Sequence, residues 1–412
     1  MDYDVIVIGG GAAGMLAAYG AATQGSKTIL LEKNEKLGKK LYLTGKGRCN
    51  VTNYGDKDNF FRNLVTNPKF LYSAWDVFNN RDLIAMLNSS GVPTKVEQGG
   101  RVFPTSDKSS DIIRALTRLL EQKKVIIKYS TPVQQILTAY NRVTGVLLKD
   151  GVQIKAPRII LATGGLAYPQ TGSTGDGYTF AKDLGHTIIQ PRPALTPLVV
   201  KESWVKELQG LTLKNVSVKV WVKNKKQKEQ FGELLFTHFG VSGPVILTLN
   251  SLIKDFSEER TLFIDLKPAL TYEQLDARLQ RVFIKFSGKQ LKNSLDDLLP
   301  QRMIAIVLRL STVDIHKQVD QINKTERASL INVLKNIPLT VIGPRSYEEA
   351  IVTGGGINVK EITPSTMASK ICSGLYLAGE VIDVDGLTGG YNLQIAFSTG
   401  YLSGISAAKN QG

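Results

Sequence analysis

At 412 residues, with 42% hydrophobic and 21% charged side chains, the chain reads as a globular protein of two or three domains, which excludes disordered and fibrous classes. No apolar run approaches the ~20 residues of a membrane helix, and Met1-Asp2-Tyr3-Asp4 leads into a strand with no basic leader segment, so a soluble, cytoplasmic protein without membrane partners is expected. The formal net charge of +15 is compatible with nucleic acid, membranes or anionic small molecules and does not choose among them.

Asp4-Val5-Ile6-Val7-Ile8 is a continuous β-branched run ending in Gly9-Gly10-Gly11-Ala12-Ala13-Gly14, after which an alanine-rich helical pattern runs through Gln24. Gly25 closes that helix and Thr28 to Leu31 is a second apolar run, so the chain opens with a βαβ unit. Val125 to Lys128, Val143 to Leu148 and Gln153 to Lys155 read as strands of a small meander, with turns such as Lys149-Asp150-Gly151. Arg158 to Ala162 is a further buried-type strand, broken by Thr163-Gly164-Gly165 and a glycine-rich loop from Tyr168 to Gly177. Composition changes at Pro191-Arg192-Pro193 and again near Pro338. Between them, Leu211 to Phe236 is valine-rich at period two, and Tyr272 to Leu334 has helical spacing of leucine and isoleucine. The lysine run Lys223-Asn224-Lys225-Lys226-Gln227-Lys228 reads as a solvated hairpin tip.

Gly9-x-Gly11-x-x-Gly14 follows a strand and opens a helix, the context that gives this spacing meaning. Gly9 permits the tight turn, Gly11 lets the backbone approach a pyrophosphate, and Gly14 lets helix and strand pack closely. Glu32 ends the second strand, where a carboxylate accepts hydrogen bonds from an adenosine ribose, and Lys33 beside it offers a charge to a phosphate. At the other end of the chain, Gly379-Glu380 closes the strand Leu375 to Ala378, a position from which Glu380 can hold ribityl hydroxyls. A helix beginning at Gly389-Gly390 aims free N–H groups at the pyrimidine edge of a flavin. Together these predict FAD.

The expected fold class is α/β: a Rossmann-like FAD-binding domain with a β meander, in two parts at 1–193 and 341–412. An inserted α+β domain at 194–340 is expected to be β-rich over 194–268 and helical over 269–340. Cys49 and Cys372 form no C-x-x-C pair and read as structural thiols. His186, His238 and His316 lack ligand spacing, so no metal is expected.

The chain resembles the aminoacetone oxidase and BaiN/RdsA family of NAD(P)/FAD-dependent oxidoreductases over essentially its whole length. The resemblance rests on the dinucleotide motif, Thr44 to Asn53, Gly100-Arg101-Val102-Phe103-Pro104, Thr171 to Gly177, Phe236-Thr237-His238 with Gly240 and Ser242-Gly243-Pro244, and Gly379 to Gln394. It implies that Thr44 to Asn50 wraps the pyrophosphate and flavin, with Arg48 supplying charge and Asn50 an amide, that Val133 meets the adenine through its backbone, and that Thr163 to Gly165 lies near the adenosine half. The expected cofactor set is Gly9, Gly11, Ala12, Ala13, Gly14, Glu32, Lys33, Lys40, Thr44, Gly45, Gly47, Arg48, Cys49, Asn50, Val133, Thr163, Gly164, Gly165, Gly379, Glu380, Gly389, Gly390, Tyr391, Asn392 and Leu393. His238, Tyr168 and Asn392 are the candidate catalytic groups.

The function expected is hydride transfer between a small-molecule substrate and flavin N5, with the inserted domain covering the substrate. A second strand–GxGxxG–helix unit is absent from the sequence, so NAD(P)H is expected only as a transient visitor, and oxygen is the other candidate partner. Oxygen would make the enzyme an amine oxidase of the aminoacetone type. A flavin-dependent tRNA-modifying protein ranks below both, because the chain ends soon after the flavin helix and nucleic acid is not an expected partner. The oligomeric state is left open.

Overall fold

The β-branched run at the start of the chain forms β1 (Val5–Ile8) in a computed structural model that describes residues 2–223, 225–253 and 255–409. The chain divides into two compact units, Met1–Ala194 with Ser346–Gly412, and Leu195–Arg345. In the first, β1 leads through helix α1 (Ala12–Thr23) to β2 (Thr28–Leu31), and α2 (Ser109–Gln122) leads to β3 (Ile126–Lys128). A meander follows, β4 (Val133–Ala139), β5 (Arg142–Leu148) and β6 (Gln153–Lys155), and then β7 (Ile159–Leu161), helix α3 (Asp176–Asp183) and β8 (Ile188–Ala194). Val125 to Lys128, expected in the meander, instead supplies β3 of the main sheet, paired parallel with β2.

The second unit contains β9 (Leu198–Val200), β10 (Thr212–Val222), β11 (Lys225–Phe236), β12 (Gly240–Ser242), α4 (Pro244–Leu252), β13 (Arg260–Asp265), helices α5 (Tyr272–Lys285), α6 (Gln301–Ser311) and α7 (Lys324–Lys335), and β14 (Ile337–Pro344). The lysine-rich tip joins β10 to β11, and its Asn224 lies outside the described residues. The chain then returns to the first unit with β15 (Val352–Ile357), β16 (Leu375–Leu377) and α8 (Tyr391–Lys409).

The main sheet is parallel in the order β16-β7-β1-β2-β3. Strands β16, β7, β1 and β2 bury both faces, which is why they read as unbroken apolar runs, whereas the edge strand β3 is largely exposed. Ile6, Ile8, Ile29, Leu31, Ile159 and Leu161 face a core shared with the meander. Val5, Val7, Leu30 and Ile160 face α1, α2 and α8. Helices α1 and α8 meet backbone to backbone: a Cβ added at Gly400 would lie 2.2 Å from the Ala13 carbonyl oxygen, and one at Gly404 2.2 Å from that of Ala17. The chain leaves the first unit through β8 and re-enters through β15, antiparallel neighbours that pair Ala194 with Val352.

The second unit is a closed antiparallel barrel, β9-β12-β11-β10-β13-β14, with its own hydrophobic core. Its boundaries differ from the expected 194–340. The last expected helical stretch ends in β14, which pairs with both β13 and β9, so the unit runs to Arg345. A barrel loses its exposed edges only when its last strand meets its first, so strands from both ends of the segment are required. Among the described residues no helix is long and apolar enough to cross a membrane.

Inside this unit a buried ion pair fixes α7 to β13. Lys335 Nζ lies 2.7 Å from Asp265 Oδ2 and donates to the carbonyls of Lys267 and Leu270, with both side chains under one tenth exposed. The backbone N–H of Lys267 donates to Asp265 Oδ1. Removing the cation strands a buried carboxylate. Lys335→Met is expected to destabilise the protein by about 3 kcal/mol, read from chemical denaturation, and a loss below about 0.5 kcal/mol would show that the pair carries little of the packing.

Candidate functional site

Three glycines divide the work of the first turn. Gly9 adopts φ +102°, and a Cβ there would lie 2.6 Å from the Ala162 carbonyl oxygen. A Cβ at Gly14 would lie 1.8 Å from the Gly9 carbonyl oxygen. At Gly11 an added Cβ meets nothing within 4 Å, so this position opens onto a cleft at the N-terminus of α1. The cleft lies over the carboxyl ends of β1, β2 and β7, where the strand order reverses and open α/β sheets bind ligands.

Glu32, at the end of β2, is buried and lines the cleft. Its Oε2 accepts from Gly10 N–H at 2.7 Å, while Oε1 accepts from the Asn34 backbone and side-chain amides at 2.8 and 2.6 Å. Asn34 was not singled out from sequence, because its role depends on this contact and on the Thr171 carbonyl, 137 residues away. Lys33 also lines the cleft, but its ammonium is 2.7 Å from Asp176 Oδ2. Lys40 pairs with Glu380 at 2.6 Å, and Glu380 Oε1 accepts from Thr353 N–H at 2.8 Å. Both residues line the same cleft, as do Ala12, Ala13, Thr44, Val133, Thr163, Gly164 and, from the first turn of α8, Asn392 and Leu393. The two ends of the chain therefore share one cavity, with Thr171, Gly172 and Ser173 as additional wall residues.

Other expected ligands do not line the cleft. The Arg48 guanidinium is engaged by Glu97 and Asp107 and stacks on Phe103 at 4.1 Å, so it is not free to supply charge to a phosphate. Cys49 is wholly buried, and burial pushes its thiol up to about 11. Gly45, Gly47 and Asn50 belong to the same turn as Arg48, outside the lining. Gly165, Gly379, Gly389 and Gly390 permit close packing instead: a Cβ at Gly165 would lie 2.4 Å from Thr353 Oγ1, one at Gly379 2.7 Å from Ala13 Cβ, and one at Gly390 2.3 Å from the Thr52 carbonyl oxygen, while Gly389 precedes the same turn. Tyr391 is buried with its hydroxyl 3.1 Å from Asn59 Nδ2.

The candidate catalytic groups separate as well. The Asn392 side chain is occupied by the 386–387 backbone, accepting from Gly386 N–H and donating to the Gly386 and Leu387 carbonyls. Such a clamp fixes a loop and leaves no free amide for chemistry. Tyr168 has a left-handed backbone, its N–H donates to the Tyr347 carbonyl, and its side chain does not line the cleft. His238 belongs to the second unit, exposed in the turn between β11 and β12 with its ring edge-on to Phe239.

The cleft fits a dinucleotide. Gly11 leaves the space into which a side chain would project, at the N-terminus of α1, where free backbone N–H groups are the donors for an anion.

Comparison with known proteins agrees with this architecture. The HI0933-like protein Rossmann domain model matches residues 3–406. A 3-dehydro-bile acid delta(4,6)-reductase of Clostridium scindens is 31% identical over 98% of both chains. A ribosomal RNA dihydrouridine synthase of Haemophilus influenzae is 30% identical, again over 98% of both. Among solved structures, a 3-ketosteroid-delta4-(5alpha)-dehydrogenase from Rhodococcus jostii shares the fold with a TM-score of 0.54 at 18% identity, covering 99% of this chain and 97% of the other. The chain thus belongs to the HI0933-like Rossmann family, the BaiN/RdsA-type FAD-dependent oxidoreductases.

Proposed function

We propose that the chain holds FAD along this cleft and reduces a carbon–carbon double bond conjugated to a carbonyl. The observation that carries the reading is the single cleft with two differently equipped ends. Glu32 and Val133 would take the adenosine end, the backbone N–H groups at the start of α1 would meet the pyrophosphate, and Thr44, Glu380 and the first turn of α8 would take the flavin end. When bound, FAD supplies hydride transfer at its reduced ring.

The substrate class is supported by what two relatives' names have in common. A delta(4,6)-reductase acting on a 3-dehydro bile acid and a dihydrouridine synthase both saturate a ring double bond placed beside a carbonyl. In such a reduction the hydride adds to the carbon β to the carbonyl and a proton to the α carbon. The net two electrons come from NAD(P)H, in our reading as a transient visitor. A nucleic-acid substrate rises above its rank from sequence, because the ribosomal RNA relative aligns over 98% of both chains and the net charge of +15 favours a polyanion.

Anaerobic mixing with NADPH or NADH is expected to bleach the flavin absorbance, which then returns on adding a 3-oxo-Δ4 steroid or a uridine-containing ribosomal RNA fragment. Bleaching by aminoketones alone, with peroxide formed in air, would replace this reading with an amine oxidase. Gly11→Ala should fold normally yet bind FAD at least about tenfold more weakly, since the new methyl enters the space for the pyrophosphate. Glu32→Ala should weaken FAD retention by roughly 1–3 kcal/mol, and an unchanged dissociation constant would remove Glu32 from the ribose site.

A further inference from the structure

Two walls of the cleft are tied together at its solvent edge. One wall is Glu32-Lys33-Asn34 at the end of β2, and the other is the loop Thr171 to Asp176 that leads into α3. Lys33 Nζ donates to Asp176 Oδ2 at 2.7 Å and to Thr174 Oγ1 at 2.5 Å. Thr174 Oγ1 in turn donates to Asp176 Oδ1 at 2.9 Å. Asn34 Nδ2 donates to the Thr171 carbonyl at 3.2 Å, and Glu32 Oε1 orients that amide. All of these cross-wall bonds join residues 137 to 143 positions apart, so neither wall makes them by local folding.

The loop is shaped to lie flat against the first wall. Gly172 and Gly175 adopt φ +103° and +81°, and a Cβ at Gly172 would come within 2.6 Å of Asn34 Nδ2 and 3.1 Å of Lys33 Cε. Ser173, between them, is buried and faces Gly164 on the third side of the cleft. Lys33 and Asp176 stay partly exposed, with side-chain accessibilities of 29% and 42%, as expected of a catch that opens to water. Partial burial works against the charge on Asp176, and the hydrogen bonds from Lys33 and Thr174 outweigh it, holding the carboxyl below its ordinary range.

We propose that Thr171 to Asp176 is a strap over the adenosine half of the bound dinucleotide, with Lys33 as its catch, so that Lys33 governs how long FAD is held and is not itself a phosphate ligand. The proposal rests on the FAD reading. A dinucleotide lying between Glu32 and Gly164 passes beneath these bonds, so its release requires them to break. A partly exposed ion pair contributes modestly, and loss of the accompanying Thr174 bond adds to this, which places the effect at about three- to tenfold in release rate.

The test follows the rise of free-flavin fluorescence after dilution of the FAD-loaded protein. Lys33→Met and Asp176→Asn should each release FAD about three- to tenfold faster than wild type. Lys33→Arg, which keeps the charge, should stay near the wild-type rate, and the exchange Lys33→Asp with Asp176→Lys should recover most of the loss. High salt should speed release from wild type but not from Lys33→Met. A protein that takes up no FAD would overturn the cofactor reading along with the strap. Normal uptake, with release insensitive to Lys33→Met and to salt, or an exchange variant no better than the single ones, would overturn the strap alone.

Discussion

The approach of α1 to α8 without side chains between them is the constraint on which the rest of the site depends. Gly400 and Gly404 lie against the carbonyls of Ala13 and Ala17, and Gly20 would place a Cβ 2.8 Å from the Tyr401 carbonyl oxygen. At this spacing the first and last helices of the chain act as one layer behind the sheet. The layer sets both helix N-termini at the same cavity, one beside Gly11 and one at Asn392 and Leu393. Any larger residue along the contact would part the two ends of the cleft before it disturbed either end.

The charges around that cavity are largely spent on one another. Lys33 pairs with Asp176, Lys39 with Glu35, and Lys40 with Glu380, although all three lysines line the cleft. Arg48, farther off, is held by Glu97 and Asp107, whose carboxyls it draws below their ordinary range together with Lys95. In the proposed reading, a pyrophosphate entering here would meet backbone N–H groups and the partial positive charge of a helix end. Those donors are fixed by the fold and carry no counterion to displace. Lys33 and Lys40 act instead as cross-links, fastening the end of β2 to the loop before α3 and the segment after β2 to the end of β16.

How much of this was legible in the sequence depended on whether a feature was local. The unbroken run Val5 to Ile8, the Gly9–Gly11–Gly14 spacing and Glu32 announced the dinucleotide turn, because strand, turn and helix are adjacent in the chain and each glycine has a distinct steric task. Glu380 is legible as a carboxylate at a strand end, but its pairing with Lys40, 340 residues away, is not. The partners of Arg48, Glu97 and Asp107, lie about 50 and 60 residues away, so a lone arginine in a glycine-rich loop looks free until the fold brings them in. Asn392 lines the cleft as its position suggests, while the two carbonyls its side chain clamps belong to a turn whose shape only the fold reveals. The barrel's closure by β14 was hidden too, since a strand following three helices carries no local sign that its partner is β9, over a hundred residues earlier.

The second unit, Leu195–Arg345, buries its own core and leaves no barrel edge open. It is spliced into the chain at β8 and β15, whose pairing holds the splice points side by side. The prolines of β8, Pro191 and Pro193, are tolerated because this strand belongs to a two-stranded ribbon, where a missing N–H leaves no interior ladder broken. The contrast follows from packing: the two ends of the cleft are locked by backbone contacts between α1 and α8, and the inserted segment closes on itself as a barrel.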